Sequence, residues 1–306
     1  MNPAWSVIFF TVLAGLGQGL FVMLVLAAWR GAQPIFLAWA GFASAALLCI
    51  GLACSFLHLG HPLRAWRAIA MWRTSWLSRE VIVLPVTIAV VVCWSMVQWL
   101  GLAGTRALGI AGVLLCVLLW YCTGMIYACI RFLREWAHPL TLANFTLMGL
   151  MSGATLFAAY GHTMYGNGWS RRWLAFALGW TLLAVAVRLV SLARNHMLKP
   201  LSTVQSATGV KNRKLKQISQ GATGGSFNTR EFFHGRNALF LANVRMVALG
   251  FGFVLPALAL AYSLVAPAAA LLGGAVVAQF VGLLAERWLF FAQANHPQNI
   301  YYQAVA

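Results

Sequence analysis

Residues 5–29 read WSVIFFTVLAGLGQGLFVMLVLAAW, a run without one charged side chain that ends at Arg30. A helix rises about 1.5 Å per residue, so this run is long enough to cross a hydrocarbon layer roughly 30 Å thick. Seven further runs of the same kind follow, at about 35–58, 80–100, 107–130, 139–160, 173–192, 238–263 and 266–290. Backbone amides inside lipid must be satisfied within their own segment, which makes helices the expected form. The predicted fold is therefore an all-α polytopic membrane protein with eight transmembrane helices. Residues 1–306 form one eight-helix domain on this reading, with a basic loop at about 193–238.

Composition points the same way: 62% of residues are hydrophobic and 8% charged, against about 25% charged in soluble domains. The start, Met-Asn-Pro-Ala-Trp, has no basic region ahead of the first run, so that run is expected to stay as a helix and not to be cleaved as a signal. If the runs alternate across the bilayer, 14 lysines and arginines fall on the side holding the 59–79, 131–138 and 193–238 loops, and only Arg30, Arg106, Arg171 and Arg172 on the other. The positive-inside rule then puts the long loops and both termini in the cytoplasm. The net charge of +17 suits anionic lipid or an acidic partner and gives no reason to invoke nucleic acid.

Several classes of chemistry find little footing. The six cysteines fall inside the predicted helices with no Cys-x-x-Cys spacing; they read as small packing residues, with no metal or cluster site. A membrane haem needs imidazoles on facing helices inside the bilayer, whereas all seven histidines lie at run ends or in loops, so no haem is expected. A transporter favours broken helices at corresponding positions in two halves; Pro85 and Pro256 predict kinks, but at different depths. Many of the tryptophans, among them Trp5, Trp29, Trp99 and Trp136, sit near run ends, where an interfacial belt is the ordinary reading.

The chain has four glutamates and no aspartate. Glu80 stands where a polar loop enters the third run, and His58 closes the second run 22 residues upstream, so the loop between them can bring both to one membrane surface. A carboxylate and an imidazole at a pocket edge can exchange protons with water, as the two-proton chemistry of a quinone requires. The alternative is an interfacial His58 and a Glu80 ion-paired with a loop arginine. Gln18, between Gly17 and Gly19 in the first run, can bond a quinone carbonyl or a neighbouring helix. Arg245 and Glu286, at similar depth in the last two runs, are expected to pair with each other as a structural salt bridge, with a proton relay as the other reading.

Four segments carry a resemblance: Phe10-Thr11 through Gly17-Gln18, His58-Leu59-Gly60-His61-Pro62-Leu63-Arg64-Ala65, Leu77-Ser78-Arg79-Glu80, and Glu286-Arg287-Trp288-Leu289-Phe290-Phe291. They resemble the membrane-anchor subunits of dimethyl sulfoxide reductase-type molybdoenzymes, within the wider polysulfide-reductase-like group. Residues 224–234 and 292–299 are similar to the anchor of the cytoplasmic sulfite dehydrogenase branch. The resemblance implies a three-subunit complex in a bacterial inner membrane. In it, the substrate chemistry belongs to a molybdopterin subunit, electrons pass through a four-cluster iron–sulfur subunit, and this chain anchors both and binds ubiquinone or menaquinone. The family's quinol-binding histidine and glutamate fall on His58 and Glu80. Gln18 matches a polar first-helix position, and Arg64 belongs to the same motif. His61 replaces a different residue common in the family, and either adds to the proton path or caps the loop. A solute transporter and a ligand-free anchor remain the alternatives.

Overall fold

The computed structural model describes residues 1–57, 59–166, 169, 171–200, 203–211, 215, 232–297 and 299. Among these the chain is all-helical, with eight helices long and apolar enough to cross a membrane. They are α1 (Trp5–Trp29), α2 (Pro34–Phe56), α3 (Trp76–Trp99), α4 (Thr105–Ala128), α5 (Pro139–Tyr165), α6 (Arg171–His196), α7 (Ala238–Ser263) and α8 (Ala269–Ala292). The chain is thus a multi-pass membrane protein.

Helix ends follow local chemistry more than apolarity. Pro34 and Pro139 open α2 and α5, where a missing amide hydrogen costs nothing. The third helix begins a full turn before the apolar run, because the Ser75 hydroxyl caps it by accepting from the Ser78 amide at 3.3 Å. Glu80 therefore lies in the second turn of α3 and not at its edge. Pro85 sits inside α3, and α7 passes through one π turn, Gly250–Val254, just before Pro256. The extra residue in that turn accommodates the proline, which has no amide to return to the preceding turn.

Helices α1 and α5 form the centre of the bundle, with most of each buried, while α3, α6, α7 and α8 turn most of their surface outward. Lipid is as apolar as the core, so close backbone approach and hydrogen bonds hold such helices together. A methyl group on Gly19 of α1 would lie 1.9 Å from the Gly149 carbonyl oxygen of α5, and one on Gly282 of α8 would lie 1.9 Å from the Gly252 nitrogen in the π turn of α7. Only glycine permits either crossing.

The two ends of the bundle differ. The Met1 amino group donates to the carbonyls of Ala294 (3.0 Å) and Ala292 (3.4 Å), so the start of α1 and the end of α8 meet. The α4–α5 connection packs on the same place, through the Trp136 indole donating to Phe290 O at 3.0 Å. Arg134 donates to Lys199 O and Arg194 to Arg134 O, which ties the end of α6 to that connection. This end carries the basic connections. Trp136 is consequently a core residue, 3% exposed and stacked on Phe290, which corrects the reading of it as an interfacial belt member. Trp5, Trp29 and Trp99 are exposed, as belt residues are. Much of the 193–238 loop lies outside the described residues; α6 extends into it as far as His196, and a short helical turn, Val204–Thr208, follows.

Candidate functional site

The α2–α3 connection holds most of the residues singled out by the sequence. After Gly60 it runs as a 3-10 segment, Pro62–Met71, in which no side chain is buried. Leu63 is 93% exposed and Trp66 67% exposed. Arg67 and Arg73 lie against the rings of Trp66 and Trp72, so guanidinium and indole surfaces alternate on one exposed strip. His61 precedes the segment, and its carbonyl accepts from the Arg64 amide at 3.0 Å. The side chains of His61 and Arg64 are both exposed. His58 lies outside the described residues.

Glu80 differs from all of these, being 4% exposed. Its carboxylate accepts a hydrogen bond from the Thr123 hydroxyl of α4. The adjacent arginine does not share in this. Arg79 donates through Nε to Trp72 O (2.9 Å) and through Nη2 to Arg73 O (2.8 Å), and its guanidinium covers the Trp76 ring at 4.1 Å. The side chain is thus committed to the loop, and among the described residues no ion pair to Glu80 is formed. Trp76 in turn meets Tyr121 of α4 edge-on at 5.3 Å. The result is a carboxyl group inside a spanning helix with a hydroxyl for a partner, one turn along α3 from a tryptophan covered by an arginine.

Gln18 lies in the middle of α1, 2% exposed, and donates through Nε2 to Cys116 O of α4 at 3.1 Å. Its amide donor is therefore used between helices, the packing role that the sequence allowed beside ligand binding. Cys116 and Thr123 are seven residues apart on α4, about two turns or 10 Å, and so share a face. Gln18 and Glu80 are attached to the same stripe of α4 at different depths.

The predicted Arg245–Glu286 pair is not what the structure forms. Glu286 meets Arg188 of α6, with Nη2 to Oε1 at 3.0 Å, and the adjacent Arg287, with Nε to Oε2 at 3.6 Å. Arg245 is exposed on α7. The two residues stand at similar distances from the basic ends of α7 and α8, but a shared depth says nothing of rotation about the helix axis, and Arg245 lies on an exposed face with no ion pair among the described residues. Arg287 is covered on one side by the Phe145 ring, 3.7 Å away. Tyr127, one turn beyond Thr123 on α4, stacks on that same ring at 5.5 Å.

Thr123, Arg188 and Arg287 were the functional candidates missed. A lone threonine in an apolar run gives no signal of its own, since its hydroxyl ordinarily bonds the preceding turn. The arginines had one: a cation inside a span requires a partner, and both stand in spans near the depth of Glu286. The six cysteines are free, Cys116 and Cys122 buried in the core and Cys49, Cys93 and Cys129 exposed on the bundle surface.

An all-helical bundle with eight spanning helices, basic connections at one end and a buried carboxyl below them defines a polytopic membrane protein. The chain belongs to the DMSO reductase anchor subunit (DmsC) family, whose family model matches residues 1–293. It is also similar to a sulfite dehydrogenase subunit of Allochromatium vinosum, at 47% identity across the whole of both chains. The resemblance read from the short motifs is borne out over the full length.

Proposed function

We propose that this chain is the quinone-reactive membrane anchor of a molybdenum and iron–sulfur oxidoreductase complex, of the sulfite:quinone or quinol:dimethyl sulfoxide type. The single observation that carries the reading is Glu80, a carboxyl group buried in α3 whose hydrogen-bond partner among the described residues is a hydroxyl. Such a group is costly in a membrane helix and marks a site of function by default. The donor set fits a quinone: a carboxylate accepts from a quinol hydroxyl and, once protonated, donates to a quinone carbonyl. A bound quinone supplies a two-electron, two-proton couple. Glu80 holds or passes the proton, and Thr123 fixes the carboxyl rotamer. His58 shares the proton exchange, with His61 and Arg64 at the same entrance, while Gln18, about two turns away along α4, holds α1 against α4.

The basic end of the bundle faces the cytoplasm on this proposal, following the positive-inside rule, with both termini there in a bacterial inner membrane. The exposed Leu63–Trp72 strip then receives a four-cluster iron–sulfur subunit, through which electrons pass to or from a molybdopterin subunit. Protons and electrons enter from the same side, so turnover moves no net charge across the membrane. The relative named as a sulfite dehydrogenase subunit favours sulfite as electron donor and quinone as acceptor.

The test is the purified complex in nanodiscs, assayed with sulfite plus a soluble quinone and with a quinol plus dimethyl sulfoxide. Glu80→Gln is expected to abolish quinone-linked turnover while leaving the catalytic partner active toward an artificial redox dye. Unchanged turnover and unchanged binding of a quinol analogue in Glu80→Gln would leave this chain an anchoring role or a quinone pocket elsewhere, and would overturn the assignment to Glu80.

A further inference from the structure

We propose that the α5, α6 and α8 side of the bundle contains a single-file water inlet, open at the basic end and closed at Gln279. Three small cavities mark its course, each with about 10 Å³ open to the centre of a water molecule, which is space for about one water. The outermost lies between half-buried Glu135, His138 and Arg194 at its mouth and Asn144, Arg188 and Ser191 at its floor. The middle one is lined by Arg287 together with Thr11, Gly15, Met148 and Ser152. The innermost reaches Gln279 and shares Leu16, Ser152 and Leu283 with the middle one. Between the first and second stands the Arg188–Glu286–Arg287 row.

Unpartnered polar atoms follow the same course. Among the described residues, buried side-chain atoms without a hydrogen-bond partner are Asn144 Oδ1 and Arg188 Nη2 at the outer cavity, Arg287 Nη1 at the middle one, Gln279 Nε2 at the inner one, and both Glu286 oxygens in the row between. The remainder are the indole nitrogens of Trp120, Trp169 and Trp180, which line none of the three cavities. The 3.0 Å contact of Arg188 with Glu286 has the distance of an ion pair without hydrogen-bond alignment, and the 3.6 Å contact of Arg287 is long enough for solvent to bridge beside it. An orphaned buried polar group costs about 1–3 kcal/mol. Apolar cavities stay dry, whereas polar ones of this size hold water; a water in the outer and the middle cavity satisfies donors and acceptors that the protein leaves open, and the inner cavity, largely apolar, offers a water the Gln279 amide and the Ser152 hydroxyl, where the inlet ends.

The inlet has a definite electrical character. Two guanidinium groups against one carboxylate leave a net positive charge in the row, which needs solvation and repels hydronium and other cations on the way to Gln279. Gln279 is seven residues deeper than Glu286 on α8, about 10 Å. Solvent thus reaches the middle of the bundle along a route that admits water and bars protons, separate from Glu80.

X-ray hydroxyl-radical footprinting with mass spectrometry, on the full chain in its complex in nanodiscs, tests this, because radiolysis of a bound water oxidises the side chain beside it. Met148 lines the middle cavity, whereas Met151 and Met23 are as deeply buried and line none of the three cavities. Met148 is expected to form sulfoxide several-fold faster than the other two. Gly15→Ala places a methyl group 3.7 Å from Gly149 Cα, an ordinary contact that keeps the fold and takes space beside the cavity, and is expected to bring Met148 down to the rate of Met151. A Met148 rate equal to that of Met151 in the unaltered protein, or a fast rate that Gly15→Ala leaves untouched, would overturn the proposal.

Discussion

Thr123 of α4 donates its hydroxyl hydrogen to the carboxylate of Glu80 on α3, joining two helices through the one acid buried in the first half of the bundle. Neither residue has a charged partner within ion-pair range among the described residues, so the orientation of the carboxyl group depends on this bond.

Removing the bond gives the first prediction. A hydrogen bond to a charged group is worth about 1.5–3 kcal/mol, and a carboxyl left to rotate loses its alignment with a bound ring. Thr123→Val, which keeps the shape, is expected to lower quinone-linked turnover about tenfold or more. Thr123→Ser is expected to restore most of it. The pair of variants is read by steady-state kinetics of the complex, with dye-linked activity of the catalytic partner as the control. Equal losses in valine and serine would make Thr123 a packing residue only.

The row around Glu286 predicts a contrast between two arginines. Leaving a buried charge with no partner costs about 3–5 kcal/mol; losing Arg188 takes away the shorter contact of Glu286, 3.0 Å, and leaves the 3.6 Å contact of Arg287, so part of that cost is expected. Arg188→Ala is therefore expected to lower the thermal unfolding temperature of the detergent-solubilised chain strongly. Arg245→Ala, on the exposed face of α7, is expected to change stability by less than about 0.5 kcal/mol. The reverse ranking would restore the pairing that depth alone suggested.

These contrasts show what a linear sequence can and cannot reveal in a membrane bundle. Lipid imposes length and apolarity on each span, and both are written along the chain, so α1 and α7 have the bounds their apolar runs imply. Rotation about the helix axis is another matter. In a soluble protein the apolar stripe reveals the buried face, but in lipid both faces are apolar, and Arg188 and Arg245 look alike until helices are packed. The start of α3 was hidden for a different reason: its cap is Ser75, a polar signal outside the apolar window. The candidate site was legible where charge is rare, at Glu80, and illegible at Thr123, whose hydroxyl gains meaning only from the neighbouring helix.

At the basic end, His138 predicts a small pH effect of known sign. Its Nδ1 accepts from the Leu140 amide at 3.2 Å, capping α5, so the cap requires an unprotonated Nδ1. Burial, with Arg194 adding repulsion, holds its pKa below the usual 6.5. Above pH 6.5 the ring is neutral in both folded and unfolded chains and the cap is intact. As pH falls from 6.5 through the lower folded value, the unfolded chain takes up the proton first, so this contribution to stability declines across that window. Histidine NMR of the folded protein is expected to show His138 titrating below 6.5; a value at or above it would place the ring in solvent without the cap.

Gln18 separates packing from ligand binding. Its amide already donates to Cys116 O, and a leucine there would remove this interhelical bond while leaving that carbonyl its bond within α4. Interhelical hydrogen bonds in lipid average about 0.6 kcal/mol and reach about 1.7, so Gln18→Leu is expected to lower stability modestly, by about 1 kcal/mol. If packing is its whole role, the affinity for a quinol analogue stays within a factor of about two, because a loss of 1.4 kcal/mol would already mean tenfold. If the amide turns to a quinone carbonyl when the ring binds, affinity falls by about tenfold while the thermal shift stays small. Titrating the analogue against the variant complex, beside its unfolding curve, distinguishes the two, and the distance of two turns between Gln18 and Glu80 along α4 makes the first outcome the expected one.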